Sequence, residues 1–339
     1  MNVHTGPRRY FFFERCGAVN TKVTIRDVAA KAGVSISSVH FALSGKAGVS
    51  DETREKIRRT AEEMGYQPNT LASGLKRSTQ RIAILLPSDA GDNKYYYQPM
   101  WRGVHDYLSK LNANVECIEL PYYESDKNEV FAKLKQLVME RRIDGILTVG
   151  HVDGFSAAQD WQDIHDRDIS VVSINSENKL CDSLCCIQPE YDVIGRTMAE
   201  LIIDRIPEFG SIFLCAGNPK WDAHSLIVKG FDDYLAENRC PNLVYKDYSY
   251  SINRQNYLNI FNKLTRPDVA ACCSVYSQGT VMLGQALEES KKAGKVYAVG
   301  SDLPDVTAER LRRSVLNNVI QKNPYAQGYV CLLYTSDAA

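Results

Sequence analysis

Polar and aromatic side chains gather where apolar runs of strand length come to an end. Tyr96 and Tyr97 follow the run 82–87, and Asn175 ends the run 170–174. Asn218, Trp221 and Asp222 follow 211–216, Tyr276 and Ser277 follow 269–273, and Asp302 and Gln321 come after 296–300. Such a set suits recognition of a small polar molecule, with rings against its apolar faces and hydrogen bonds around its edge. Bond-breaking chemistry finds no comparable constellation. Gly-x-Ser-x-Gly, a Walker-type loop and His-Glu-x-x-His are all missing from the sequence. Asp89-Ala90-Gly91-Asp92-Asn93 has only the beginning of a calcium loop. The six histidines are scattered, and His224 beside Asp222 reads as a cleft or surface residue rather than a catalytic base. No enzyme activity, cofactor or metal is expected.

Ten cysteines do not make a disulfide framework in a chain of 339 residues. Cys117, Cys185, Cys186, Cys215, Cys272 and Cys273 sit inside apolar runs, where cysteine acts as a small buried hydrophobe. Cys181-x3-Cys185 alone offers too few ligands for a metal site.

The elements that would carry these residues change character along the chain. From Arg81 onward, strand-length apolar runs alternate with amphipathic helices such as 128–141, whose Val130, Leu134, Leu137 and Val138 fall on one face. That alternation predicts stacked βαβ units in two doubly wound parallel-sheet lobes, with ligands outside the carboxyl ends of the strands. Residues 22–68 read instead as an all-α segment of short helices. Charge divides at the same place. Through Arg81 the chain has 14 Lys+Arg against 7 Asp+Glu, and the remainder has 26 against 34. A basic front on an acidic body points to a polyanionic partner. No run of 18 apolar residues occurs, so no membrane partner is expected, and Glu14-Arg15 cuts the apolar stretch 10–13 too short for a signal peptide. A cytoplasmic location is expected.

Within the front, Thr24 is placed to cap a helix bearing Asp27 three residues on, and Ile25, Val28 and Ala29 form its apolar stripe. Gly33 supplies a tight turn, Ser35 caps a second helix over 36–43, and Ser50 caps a third that runs to Met64. This is helix-turn-helix spacing, although three-helix bundles that bind no nucleic acid share it. The residues alone leave both readings open.

Residues 23–79 closely resemble the DNA-binding headpiece of LacI-type transcription regulators. The resemblance rests on Val28-Ala29, Ala32-Gly33-Val34-Ser35, Thr53-Arg54-Glu55-Lys56-Ile57 and Tyr66-Gln67-Pro68-Asn69, in order and at family spacing. It implies that helix 36–43 enters the major groove of double-stranded DNA, with Ile36, Ser37 and Ser38 at base edges. Ser35, Ser38, backbone amides at the helix start and nearby basic groups would hold phosphates, and Thr24 is a further DNA-binding candidate. The sequence departs from the family after Val39, where His40-Phe41 replaces the common Ser-Arg, so the bidentate guanine contact of an arginine is lost. His40 is left to bond a base or phosphate, or to serve structure alone. Residues 69–77, with Asn69, Ala72 and Leu75, match the family's hinge helix. Leu75 takes the place of the leucine that wedges into the minor groove, and Gly74 should weaken that helix by about 1 kcal/mol relative to Ala.

The body, more loosely, resembles the periplasmic-binding-protein-like core of the same regulators: two α/β lobes around an effector cleft. Tyr95-Tyr96-Tyr97 with Gly103, Gly230-Phe231 and Val299-Gly300-Ser301-Asp302 carry that likeness. It makes Asp302 the first candidate to accept effector hydroxyls. Sugar-responsive members often have an arginine three residues before the Gly-Phe pair, whereas Ile227 stands here; a sugar or sugar derivative is still the first expectation. The expected organisation is a leader over 1–21, the headpiece 22–68, a hinge or linker 69–80 and the two-lobed domain 81–330. That domain is expected to be cut short, since 331–339 resembles translated adapter sequence more than a domain end. The whole would be a homodimeric repressor on a pseudo-palindromic operator. A solute-binding protein of a transport system is the alternative reading.

Leu75→Ala is expected to reduce operator affinity and bending while leaving nonspecific DNA binding nearly unchanged. Equal loss on every duplex, in a gel-shift and bending assay, would remove the wedge.

Overall fold

Helix caps, turn residues and apolar periods decide the elements of this chain. The computed structural model describes residues 25–44, 48–64, 66, 79–110, 115–150, 158–181, 183–207 and 209–337. The leader, Thr24 and the hinge residues Asn69, Ala72 and Leu75 lie outside the described residues, as does the side chain of His40. Two compact units divide between Ser78 and Thr79.

In the first unit, α1 (Ile25–Ala32), α2 (Ile36–Ser44) and α3 (Asp51–Glu63) close over Val28, Ala29, Ala32, Val39, Ala42, Ile57 and Ala61. Gly33 takes φ +68°, which lets Val34 N–H donate to Ala29 O at 3.1 Å and ends α1. Ser35 Oγ accepts from Ser38 N at 3.1 Å, and Ser50 Oγ accepts from Thr53 N at 3.3 Å, so both expected caps are made.

The second unit holds two five-stranded parallel sheets. Lobe 1 has β1 (Gln80–Leu85), β2 (Val115–Glu119), β3 (Gly145–Val149), β4 (Ser170–Ile174) and β5 (Cys185–Ile187), in the order β2-β1-β3-β4-β5. Lobe 2 has β6 (Ser211–Cys215), β7 (Val244–Asp247), β8 (Val269–Ser274), β9 (Tyr297–Ser301) and β10 (Asn318–Ile320), in the order β7-β6-β8-β9-β10. The two lobes therefore repeat one topology. Three edge strands, β5, β7 and β10, have no apolar run of full strand length in the sequence. They are three or four residues long and mostly half-buried, so one covered face leaves only a weak pattern.

The helices of lobe 1 are α4 (Lys94–Leu108), α5 (Lys127–Met139), α6 (Ala158–His165) and α12 (Pro324–Asp337). Those of lobe 2 are α7 (Tyr191–Ile203), α8 (Asp222–Glu237), α9 (Arg254–Leu264), α10 (Ser277–Glu289) and α11 (Asp305–Arg312). The chain passes to lobe 2 between β5 and α7 and returns between β10 and α12. Each lobe is closed by one helix pair whose backbones meet through reciprocal glycines. In lobe 2, a Cβ on Gly195 would run into Ile227 O and one on Gly230 into Asp192 O. In lobe 1, a Cβ on Gly103 would meet Tyr325 O and one on Gly328 would meet Met100 O. Ile227 is accordingly buried in the lobe 2 core.

Past residue 330, α12 runs on to Asp337, and Cys331 and Leu332 are buried in the lobe 1 core.

Gly230→Ala is expected to destabilise the body by about 1–3 kcal/mol, since the methyl meets backbone that cannot swing away. Denaturant unfolding of the full chain measures it.

Candidate functional site

Two surfaces answer to the residues singled out by the sequence. On the first unit, the start of α2 presents Ser35 and Ser37 as exposed side chains, with Ile36 and Ser38 half-buried. Ile36 packs back against the three-helix core. The Ser35 and Ser38 hydroxyls lie 2.8 Å apart. Arg54, one turn into α3, reaches across to α2, where its Nη1 donates to Phe41 O at 2.9 Å and Ala42 O at 3.2 Å. It thereby satisfies carbonyls at the end of α2 that have no partner within the helix. Sequence reading placed Arg54 only in a motif; its signal was a basic residue early in a helix that follows another.

The second surface is a cavity of about 420 Å³ between the lobes, within the size range of ligand sites. It lies at the carboxyl ends of both sheets, where the strand order reverses. Lobe 1 supplies Tyr96, Tyr97, Tyr122 and Phe131, and lobe 2 supplies Trp221, Tyr250 and Tyr276. Rings thus face the space from both sides. Asn175, Ser277, His224 and Lys322 add polar atoms.

Of the expected effector residues, Tyr96, Tyr97, Asn175, Trp221 and Tyr276, with Ser277 beside them, line this cavity. Four do not. Asn218 fixes its own loop, its N–H donating to His224 Nδ1 at 2.9 Å and its Oδ1 accepting from Lys220 N at 3.0 Å. Asp222 turns to Lys179 of lobe 1, 2.9 Å away. Gln321 is exposed, and its neighbour Lys322 points in instead, as alternation past the end of β10 requires. Asp302 stands one layer behind the lining. Its carboxylate accepts from Ser277 Oγ at 2.5 Å and pairs with Lys322 Nζ at 3.0 Å, with 1% and 4% of the two side chains exposed.

Asn175 and Asp302 occupy equivalent places. Each follows the fourth strand of its lobe, with φ of +65° and +64°, and each donates its N–H to the last residue of the neighbouring edge strand, Ile187 or Ile320. Asn and Asp tolerate this left-handed backbone better than other residues with a Cβ. Around Asn175, the Tyr96 hydroxyl donates to Oδ1 at 2.7 Å, the Tyr191 hydroxyl is shared between the main-chain O (2.5 Å) and Oδ1 (2.9 Å), and Gln327 Nε2 donates to the Tyr96 oxygen at 3.1 Å. Burial above all, with Tyr191 and Asp302 nearby, pushes the Tyr96 hydroxyl well above its usual range, so it stays a donor. Lys322 Nζ also donates to Val275 O at 3.0 Å and sits 5.2 Å from the centre of the Tyr96 ring. Sequence reading missed Lys322, Tyr122 and Tyr250, which no motif marks, and left His224 between cleft and surface. Among the described residues no group of three or more His, Cys, Asp or Glu is arranged to hold a metal ion.

Comparison with known proteins now bears on both surfaces. Residues 82–339, well over half of the chain, match the periplasmic binding protein domain. Residues 24–69 match the lacI family of bacterial regulatory proteins. The chain belongs to the family of the periplasmic binding protein domain, and its front carries the lacI-family segment. It thus joins a helix-turn-helix headpiece to a body of two parallel-sheet lobes. It is 35% identical to the HTH-type transcriptional regulator MalR of Streptococcus pneumoniae over 127 residues, 37% of this chain and 38% of that one. Against catabolite control protein A of Staphylococcus xylosus it is 22% identical over 305 residues, covering 88% and 87%. The lac repressor dimer bound to operator and the anti-inducer ONPF is similar over 94% of both chains, with TM-score 0.58 and 18% identity. A periplasmic solute binding protein from Actinobacillus succinogenes 130z with bound D-allose covers 76% of this chain and 91% of its own, with TM-score 0.65 and 17% identity.

Lys322→Met is expected to destabilise the body by about 3–5 kcal/mol, because Asp302 is left buried without its cation. Adding Asp302→Asn should recover part of that loss in thermal unfolding.

Proposed function

We propose that this protein is a sequence-specific transcription regulator of the LacI type, working as a repressor, whose hold on DNA is set by a small sugar-like effector between its lobes. The observation that carries the reading is the union in one chain of a capped helix-turn-helix with an aromatic-walled interlobe cavity. The exposed start of α2 would enter the major groove, with Ile36, Ser37 and Ser38 at base edges and Ser35 at phosphate. Thr24, His40, Asn69, Ala72 and Leu75 are proposed as further DNA contacts from their match to the family headpiece and hinge. Phe41 in place of an arginine predicts a departure from operators read through guanine at that position.

A homodimer on a pseudo-palindromic operator is proposed in keeping with the lac repressor, which is described as a dimer bound to operator. For the cleft, Tyr96, Tyr97, Asn175, Trp221 and Tyr276 are the proposed effector contacts, with Lys322, His224 and Ser277 beside them. Rings facing the space from both lobes favour a sugar, whose C–H faces stack on aromatics while its hydroxyls bond at the edge. The likeness to a D-allose-bound protein supports this class of ligand. Asn218, Asp222 and Gln321 are not proposed as contacts, and Asp302 acts through Ser277 and Lys322. An effector that binds one lobe arrangement more tightly than the other shifts the DNA-binding equilibrium by that difference. A role in binding rather than catalysis is proposed. Among the described residues no helix is long and apolar enough to cross a membrane. A cytoplasmic site of action is proposed in keeping with the DNA-binding reading. A solute carrier for transport would have no use for the headpiece.

Selection of bound duplexes from a random library, at near-physiological salt, tests the reading. An inverted repeat with a flexible central step is the expected enrichment; salt-sensitive binding to all duplexes alike would overturn a specific dimeric reader.

A further inference from the structure

We infer that the interlobe cavity takes an uncharged or amine-bearing sugar and rejects its phosphorylated and carboxylate forms. The inference rests on the sugar reading proposed above and adds to it the charge of the effector. It comes from an account of the ionisable groups that line the space among the described residues.

Among the described residues the lining holds two cations and two carboxylates, and a third carboxylate stands directly behind. Both cations are already matched. Lys322 Nζ is 3.0 Å from Asp302, deep under the floor, and Lys127 Nζ is 2.5 Å from Glu124 at the lobe 1 rim. His224 accepts a backbone N–H at Nδ1, which leaves its proton on Nε2 and the ring neutral. The remaining group is Asp92, whose carboxylate accepts Ile252 N–H from the opposite lobe at 3.3 Å and has no cation among the described residues. The count is therefore three negative charges against two positive.

The floor is rich in donors yet carries no net charge. Asn175 Oδ1 accepts from the Tyr96 hydroxyl and shares that of Tyr191 with the main-chain O, so its amide group turns its N–H atoms to a ligand. Lys322 has donated to Val275 O and Asp302, two of the three bonds an ammonium can make. Such a floor suits the hydroxyl, ring and carbonyl oxygens of a neutral molecule. A phosphate or carboxylate brought there would lose its water and gain no uncompensated cation, which is unfavourable in a closed cleft. Asp92 at the mouth adds repulsion for anions and attraction for an ammonium, and the ring walls favour a cation as well.

The test uses the full chain and matched ligands. Calorimetric or thermal-shift titration is run with D-glucose, D-galactose, D-allose and maltose, then with glucose 6-phosphate, galacturonate and glucosamine. At least one neutral sugar is expected to bind, its charged acidic counterpart about tenfold or more weakly, and the amine at least as well. Higher salt should narrow the gap, because Asp92 is exposed to screening. Asp92→Asn should raise the affinity ratio of phosphate to neutral sugar, a ratio that a general loss of folded protein would leave alone. Equal or tighter binding of the acidic form overturns the inference while the sugar reading stands. No binding by any member of the series overturns the sugar reading and this inference with it. An unchanged ratio in the Asp92 variant removes Asp92 from the account.

Discussion

Lys322 and Asp302 form an ion pair with almost no exposed surface, and the return of the chain from lobe 2 to lobe 1 hangs on it. Two charges are held in a low-dielectric place only when each finds the other and the remaining lone pairs and protons are bonded. Here Ser277 Oγ and Lys322 N–H bond the carboxylate, and Val275 O takes another proton of the ammonium. The other crossover is held by uncharged groups. Tyr191 of lobe 2 donates to Asn175 of lobe 1, Tyr96 donates to the Asn175 side-chain oxygen, and Gln327 joins Tyr96 to Lys322 O. One hydrogen-bonded network thus spans both passages between lobes, and Tyr96, Asn175 and Lys322 belong to it and to the cavity wall at once. A molecule that bonds to these three acts on the joint itself.

The two lobes are variations on one plan. Both run their strands in the same order, both close with a helix pair packed through reciprocal glycines, and both place an αL residue after the fourth strand. The plan explains why the cleft is lined as it is. Strand ends from the two sheets face each other, so whatever follows each strand meets its counterpart across the gap. It also explains the difference between the two floors. Lobe 1 puts a neutral Asn at the special position and lobe 2 an Asp, and the Asp requires a lysine from the crossover to sit buried beside it.

The headpiece depends on small residues and caps rather than on a large core. Seven buried apolar side chains hold three helices, with Ser35 and Ser50 closing helix starts and Arg54 closing the end of α2. These interactions fix α2 from both ends and leave Ser35 and Ser37 exposed at its start.

Local chemistry made much of this legible in the sequence. Gly33, Ser35 and Ser50 announce turns and caps through bonds made within a few residues, and long runs such as Gly145–Val149 and Ser211–Cys215 are strands because both faces are covered. The rings Tyr96, Tyr97, Trp221 and Tyr276 were readable because strand ends in such sheets meet ligands. Tertiary structure alone decided the rest. Short edge strands have too little covered surface to leave a pattern. Which of Gln321 and Lys322 faces the cavity turns on one residue of alternation. That Asp302 serves a lysine rather than the cavity depends on a partner 20 residues away, brought there by the return of the chain between lobes. The sequence could determine what is bonded locally or repeated along the chain; contacts across the cleft exist only once both lobes are folded.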